Sequence, residues 1–446
     1  MKAFKAYDIR GIYNEDFDKN IAYKIGFFIP ELLKTNKVLV GRDVRISSPE
    51  IFEYLSKGIT DNGADVYNIG LATTPMVYFM TAKHKFDASV MITASHNSKE
   101  YNGFKVSKTN ALPVGYDTGL KKLEEMVENQ EIKISDNKGK VIDYDVKEEY
   151  LNFLRKYKSD ISNLKIGIDC SNGMAALLIK DILGNLPLYI YDTLDGTFPN
   201  HEANPLVQKN VEDLKKHVIK NKCDIGVIYD GDADRVMFVD EKGKFISPDL
   251  MIAVMANYFL VNGKKENVLQ DIRSSKAVKK YIEKFGGKMY MWRVGRAYAS
   301  IKLREINGLF GGELAGHYYF RDFYYSDSGI LASLIILNII SKMKRKSIPI
   351  SKLIAEISSY SNSGEINFRI ENKKQAMEKI KDYFMSKENP TAFYDFDGYR
   401  IEFNDWWFNI RPSNTEPYLR LLVEANNDKL LKEKITTIKS LIEKFV

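Results

Sequence analysis

The chain has 446 residues, 44% hydrophobic and 28% charged, with 66 basic against 59 acidic side chains and a formal net charge of +7. That balance is ordinary for a soluble globular protein, and the length can bury a sizeable core without staples. Two cysteines, Cys170 and Cys223, exclude a disulfide framework or a cysteine zinc site, and basic residues interspersed with acids exclude a nucleic-acid binder.

A small anionic substrate suits the mild positive charge better. The basic cluster at residues 342–346 reads as a solvated helix end. The N-terminus lacks the apolar core of a signal peptide. The most apolar runs, residues 250–261 and 330–340, fall short of the ~18 residues that a membrane span needs. A cytoplasmic protein with no membrane partner is expected, built from roughly three domains by length alone.

Short apolar runs alternate with helical stretches over three quarters of the chain. Residues 38–40 precede Gly41-Arg42-Asp43. Residues 64–69 come next, and residues 88–92 then empty into Thr-Ala-Ser-His-Asn. The order returns with residues 165–168, 188–191 and 225–229, the last leading into Asp-Gly-Asp-Ala-Asp-Arg. A third round runs through residues 268–269, 288–292 and 309–310 into Gly-Gly-Glu-Leu-Ala-Gly-His. This alternation predicts α/β units. Ligands in such units gather at loops beyond strand ends, so three unusual loops are expected to converge on one cleft. From Glu365 the pattern changes. Alternating stretches at residues 366–370, 399–403, 406–410 and 419–423 predict a small α+β unit with a closing helix. Arg411-Pro-Ser-Asn-Thr-Glu-Pro417 lies between its last two strands.

Asp230, Asp232 and Asp234 repel one another unless a cation lies among them, and their hard oxygens favour magnesium or calcium. An EF-hand is a poor reading, because Arg235 stands where that loop needs glycine and strands flank it. A polar turn without a ligand is the plain alternative. Ser95 has three readings. A hydrolase nucleophile lacks its Gly-x-Ser-x-Gly elbow, and a simple turn would only satisfy backbone groups. A phosphoryl acceptor draws support from the nearby cation loop. Arg411, Ser413, Asn414 and Thr415 offer a fork-like cation, hydroxyls and an amide suited to phosphate, or else a solvated turn. No Walker loop is present. Glu313 can accept sugar hydroxyls on a glycine-rich loop shared with His317.

A phosphorylatable serine, a divalent cation, a sugar loop and a phosphate clamp are the parts of a phosphosugar mutase. The chain resembles the α-D-phosphohexomutase family over essentially its whole length, in particular the phosphomannomutase/phosphoglucomutase branch. The resemblance rests on Ala6-Tyr-Asp-Ile-Arg-Gly11, Thr93-Ala-Ser-His-Asn97, Tyr101-Asn-Gly-Phe-Lys105 and Asp195-Gly-Thr-Phe-Pro-Asn200. It continues through Asp230-Gly-Asp-Ala-Asp-Arg235, Gly312-Glu-Leu-Ala-Gly-His317 and Arg411-Pro-Ser-Asn-Thr415. His317-Tyr-Tyr-Phe-Arg-Asp-Phe with Ser326-Asp-Ser-Gly329 looks most like the bacterial members.

The resemblance implies three topologically similar α/β domains and a C-terminal α+β domain around a central cleft. The boundaries expected are 1–145 for the phosphoserine loop, 146–243 for the metal loop, 244–358 for the sugar loop and 359–446 for the phosphate loop. It implies phosphate carried covalently on Ser95, and Mg²⁺ held by Asp230, Asp232, Asp234 and that phosphoserine. Arg10, Lys105 and Arg235 would surround the transferring phosphate, with Lys105 and His317 as proton carriers and His96 beside them. Tyr7 and Lys276 would line the cleft. Glu313 would bind the sugar, and Arg411, Ser413, Asn414 and Thr415 the distal phosphate. The activity implied is interconversion of mannose 6-phosphate and mannose 1-phosphate, with glucose phosphates also accepted. It would pass through a hexose 1,6-bisphosphate, which also serves as activator. A phosphoglucosamine mutase and a catalytically silent phosphosugar-binding protein are the alternatives, and a monomer or weak oligomer is expected. Three positions depart from the family pattern. Ala315 replaces serine, Ser98 replaces proline, and Arg296 replaces a histidine among the substrate-binding residues.

Overall fold

The computed structural model describes residues 1–445 except 262, 264, 359 and 414–417. Four sheets organise the chain. The first runs in the order Ile9–Ile12, Tyr101–Lys108, Ala88–Ile92, Lys37–Arg42, Asp65–Leu71, Val141–Asp143. The second runs Phe245–Ile246, Val236–Asp240, Ile225–Tyr229, Ile166–Asp169, Leu188–Ile190. The third runs Lys288–Trp292, Asn267–Asp271, Phe310–Gly312, Tyr318–Phe320, Ser326–Asp327.

One topology recurs. In each round the first strand lies between the second and the third, parallel to both. A further strand then returns antiparallel beside the third. The loop after each third strand is therefore the turn of a hairpin. Those turns are residues 93–100, 230–235 and 313–317, the three loops that the sequence marks for chemistry. The strands that feed the first two, Ala88–Ile92 and Ile225–Tyr229, are buried at every position. Such continuous apolar runs are what a sheet covered on both faces requires.

Local signals set the helices. Thr73 caps Thr74–Lys83 by accepting from the Met76 amide at 3.2 Å, with Pro75 in the first turn. Ser328 caps Gly329–Lys344 in the same way. The two most apolar runs become the helices Pro248–Phe259 and Gly329–Lys344, buried in the core. Among the described residues no helix is long and apolar enough to cross a membrane. The cluster at 342–346 ends the second of these helices and is largely exposed.

The three α/β units share one continuous apolar cluster that joins Met91, Ile168, Tyr229, Phe310 and Leu334. The fourth unit has a core of its own, with Phe384, Phe408, Leu421 and Ile438 at its centre. Its antiparallel sheet runs Ser361–Arg369, Tyr418–Ala425, Trp406–Pro412, Tyr399–Glu402, Ala392–Tyr394. Helices Lys373–Lys387 and Asp428–Ile442 supply its cover. Length alone suggested about three units. The fourth escaped that count because it is small, cored separately and docked on the others.

Three details differ from the sequence reading. The strand expected from residue 366 begins at Ser361, across an irregularity between Asn362 and Glu365. The short edge strand Ala392–Tyr394 was not anticipated. Trp406–Pro412 runs two residues further than expected, so Arg411 is a strand residue paired across from Arg420.

Candidate active site

Ser95 is 2% exposed and holds a left-handed backbone, φ 52°. A non-glycine residue in that region costs energy and persists only where its surroundings fix it. Its amide donates to Thr93 Oγ1 at 2.9 Å. Its hydroxyl donates to Asp230 Oδ2 at 2.9 Å, joining the first hairpin turn to the second. His96 Nδ1 lies 3.3 Å from the same hydroxyl. Burial, then the charges of Arg235, Arg10 and Lys105, pushes the His96 imidazole well below 6.5.

The acidic turn is completely buried, with Asp230 and Asp232 at 0% and Asp234 at 1% exposure. One oxygen from each carboxylate lies within 4.8 Å of the other two. Burial, then repulsion from Asp234 and Asp232, pushes the Asp230 carboxyl well above the usual carboxylate range. Burial pushes Asp234 the same way, but Lys105 and His317 outweigh it and bring that carboxyl down. Lys105 Nζ donates to Asp232 Oδ2 at 2.6 Å and to Asp234 Oδ2 at 2.5 Å. These carboxylates overcome the cost of burial and raise its ammonium well above 10.5. The opposite oxygens, Asp232 Oδ1 and Asp234 Oδ1, are buried with no hydrogen-bond partner. Orphaned carboxylate oxygens at close quarters are costly unless a cation takes them. The donor set is all oxygen and all hard, and it fits magnesium.

The third turn closes on the second. Arg235 and His317 pair through their backbones, and Val236 N donates to Gly316 O at 3.1 Å. Arg235 Nε donates to His317 Nε2 at 2.9 Å. His317 Nδ1 lies 2.6 Å from Asp327 Oδ2, so the ring proton sits on Nδ1 and Nε2 is the acceptor. Asp327 is buried, yet His317 and Arg296 hold its carboxyl below the usual range. Glu313 accepts from Tyr319 Oη at 2.6 Å and from Gly295 N at 3.3 Å, and burial pushes its carboxyl up. Asp271 anchors this loop, accepting from Leu314 N at 2.9 Å and from Arg273 at 2.6 Å.

Arg10 donates to Asn97 Oδ1 at 2.8 Å and pairs with Asp8, while its Nε is buried with no partner. Tyr7 crosses to the third unit, its hydroxyl 3.4 Å from Val294 O. There a Cβ on Gly295, at φ 115°, would meet the Tyr7 ring at 3.1 Å. Lys276 lies at the joint with the fourth unit, donating through Nζ to Phe403 O at 2.6 Å. Arg296 makes three contacts within the protein. It donates to Asp327 Oδ1 at 3.1 Å and to Ala111 O at 3.0 Å, and its guanidinium lies 3.5 Å over the Tyr78 ring. Arg411 is 4% exposed, and burial followed by the like charge of Arg273 lowers its pKa. Two guanidiniums drawn together in a buried place invite an anion. Ser413 N donates to Tyr418 O at 2.8 Å. Asn414 and Thr415 lie outside the described residues.

Ser95, His96, Lys105, the three aspartates, Arg235 and His317 thus form one cluster, with Arg10 tied to the serine turn through Asn97. Tyr7 from the first unit, Lys276, Glu313 and Arg296 from the third and Arg411 and Ser413 from the fourth are the other predicted site residues that the structure describes. Sequence reading missed Asp327, although it stands inside a quoted landmark, and it missed Arg45, whose side chain is 0% exposed. An aspartate in a short strand and an arginine two residues past a Gly-Arg-Asp turn carry no periodic signal.

Models of phosphoglucomutase/phosphomannomutase domains match in order: alpha/beta/alpha domain I at residues 1–147, II at 148–243 and III at 247–360, then the C-terminal domain at 365–437. The chain is 40% identical over 450 aligned positions to a phosphomannomutase of Methanocaldococcus jannaschii, covering 100% of this chain and 98% of that protein. It is 35% identical to a phosphomannomutase of Vibrio cholerae, covering 100% and 99%. A solved phosphoglucomutase/phosphomannomutase family protein of Burkholderia thailandensis superposes with a TM-score of 0.87 at 25% identity, covering 99% of this chain and 97% of that one.

Proposed function

The chain belongs to the phosphoglucomutase/phosphomannomutase family, and on that premise we propose that it interconverts mannose 6-phosphate and mannose 1-phosphate, accepting glucose phosphates as well. Membership makes it an enzyme of the phosphohexomutase type. Full-length relatives named phosphomannomutase support the mannose reading. The observation that carries the mechanism is the Ser95 hydroxyl bonded at 2.9 Å to Asp230, inside a buried three-aspartate turn.

Ser95 carries a phosphoryl group in the working enzyme. The clamp around Arg411 holds the phosphate already on the sugar, and Glu313 holds sugar hydroxyls. The free sugar hydroxyl attacks phosphorus, a new P–O bond forms, and the bond to Ser95 Oγ breaks. His317 takes the hydroxyl proton at Nε2 once the bond that this nitrogen accepts from Arg235 Nε opens, and the Lys105 ammonium returns a proton to Ser95 Oγ. The resulting hexose 1,6-bisphosphate turns over in the cleft, and the reverse transfer re-phosphorylates Ser95. The same bisphosphate added from solution acts as activator. Asp230, Asp232 and Asp234 with Ser95 would hold Mg²⁺, which supplies charge neutralisation for the phosphate. Arg10 and Arg235 add positive charge around it. Phosphorylated hexoses do not cross membranes unaided, which supports a cytoplasmic setting.

The test is a panel of mannose, glucose and glucosamine 6-phosphates with magnesium and 1,6-bisphosphate. Turnover of the mannose and glucose substrates is expected, and it should vanish in Ser95→Ala. Turnover of glucosamine 6-phosphate alone would make the protein a phosphoglucosamine mutase. Normal activity in Ser95→Ala would exclude the phosphoserine route.

A further inference from the structure

Arg45 takes no part in the chemistry above, yet it is 1% exposed and lies directly behind the serine turn. Its guanidinium has five N–H donors, and all are used. Nε donates to Asp43 Oδ2 at 3.1 Å. One terminal nitrogen donates to Ser98 O at 2.6 Å and to Tyr101 O at 3.0 Å. The other donates to Ser95 O at 2.9 Å and to Asn97 O at 2.6 Å. Asp43 is itself fixed, accepting from Ser48 Oγ at 2.6 Å, while its amide donates to Ile92 O at the end of the strand that delivers Ser95. Phe198, from the second unit's Asp195-Gly-Thr-Phe-Pro-Asn200 loop, lies 5.1 Å over the same guanidinium.

We propose that Arg45 is the positioning residue of the phosphoserine turn, shaping it through four backbone carbonyls, with Phe198 coupling it to the unit that carries the aspartates. The inference rests on Ser95 as the phosphoryl carrier. With no donor left over, Arg45 does not touch the substrate. It turns aside carbonyl dipoles that would otherwise repel a phosphate, and it fixes a serine whose left-handed backbone is costly on its own. Lysine cannot replace it, because three donors on a point charge cannot span a planar array of four carbonyls and a carboxylate. The Asp195–Asn200 landmark thereby gains a role. Its Phe198 ring closes the guanidinium from above, so the geometry of Ser95 depends on the docking of two units.

The experiment compares wild type, Arg45→Lys, Arg45→Ala and Phe198→Leu. It measures kcat, KM, melting temperature and, by intact mass, phosphate on Ser95 after incubation with 1,6-bisphosphate. Arg45→Lys should lose about 10²-fold in kcat, the scale of an ångström misplacement of a reacting group, with KM within about twofold. Methylguanidinium, but not methylammonium, should restore part of the kcat of Arg45→Ala. Phe198→Leu should lose about fivefold in kcat without a change in melting temperature, and this arm decides the matter if the Arg45 variants do not fold. Wild-type kcat in Arg45→Lys, or in Phe198→Leu, would overturn the inference while leaving phosphoserine chemistry intact. A wild-type enzyme that turns over without ever carrying phosphate on Ser95 would remove the functional reading and this inference together.

Discussion

At the scale of single residues, the site is a set of charges held apart from water by one another. Asp327 illustrates this. It accepts from His317 Nδ1 at 2.6 Å and from Arg296 Nε at 3.1 Å, so it sets which nitrogen of His317 carries the ring proton. Asp327→Asn removes the charge and lets the ring adopt the wrong tautomer. The expected outcome is a kcat lower by about 10²-fold, with KM within about twofold, in steady-state kinetics. A loss confined to KM would show that His317 holds the sugar instead. Arg296, which replaces a histidine of the family pattern, holds contacts within the protein, to Asp327, Ala111 and the Tyr78 ring.

At the scale of elements, the repeated hairpin brings the chemistry together. Glycines let the turns approach closely. A Cβ on Gly231 would meet Ser95 O at 2.4 Å, so the acidic turn can lie against the serine turn only without a side chain there. The helix Pro248–Phe259 carries a different kind of strain. Asp249 in its first turn is 2% exposed, and burial pushes its carboxyl up to about 6 from 3.8. Accepted bonds from Ser247 and Ser275 only partly offset that burial. The folded state keeps this proton where the unfolded chain has lost it. Stability from this group is therefore fully present below about pH 4 and is lost as pH rises to about 6. Urea unfolding of wild type and Asp249→Asn between pH 4 and pH 7 should show the wild-type advantage shrinking with pH, by at most about 3 kcal/mol. Parallel curves would count against the buried proton.

At the scale of the whole molecule, three units share a core and the fourth does not. Polar and aromatic contacts dock the fourth on the third, among them Val294 N donating to Asp397 at 2.8 Å and Trp292 stacked on Phe396. Arg400 is 1% exposed, donates to Ile272 O and Ser274 O at 2.7 Å each, and lies 3.6 Å over the Trp407 ring. Lys276 and Glu424 add to the joint, with a 3.2 Å bond between the Lys276 amide and the Glu424 carboxylate. In the proposed reaction the bisphosphate turns over and its clamp has to release and re-engage, which a separately cored unit would allow without disturbing the serine and aspartate turns. Arg400→Lys keeps the charge but loses the planar fork. It should raise KM for hexose phosphate about tenfold while kcat stays within about threefold. The reverse split would place Arg400 on the path of the chemistry rather than of binding.

Much of this was legible in the residues themselves. Alternating apolar runs mark the α/β rounds, because a buried parallel strand has to be apolar throughout. Three carboxylates in five residues mark a candidate cation site, and Ser95 gains meaning only beside them. Periodicity is a property of local chain geometry, and it stops there. It could not show that Asp230 reaches Ser95, 135 positions away, or that Arg45 spends its donors on Asp43 and on the carbonyls of Ser95, Asn97, Ser98 and Tyr101. Nor could it show that Asp327 and Arg296 support a histidine. Those are facts of packing. A charge in an irregular loop has the same local sequence whether it is solvated or buried, and only the tertiary structure decides which groups are left to neutralise it.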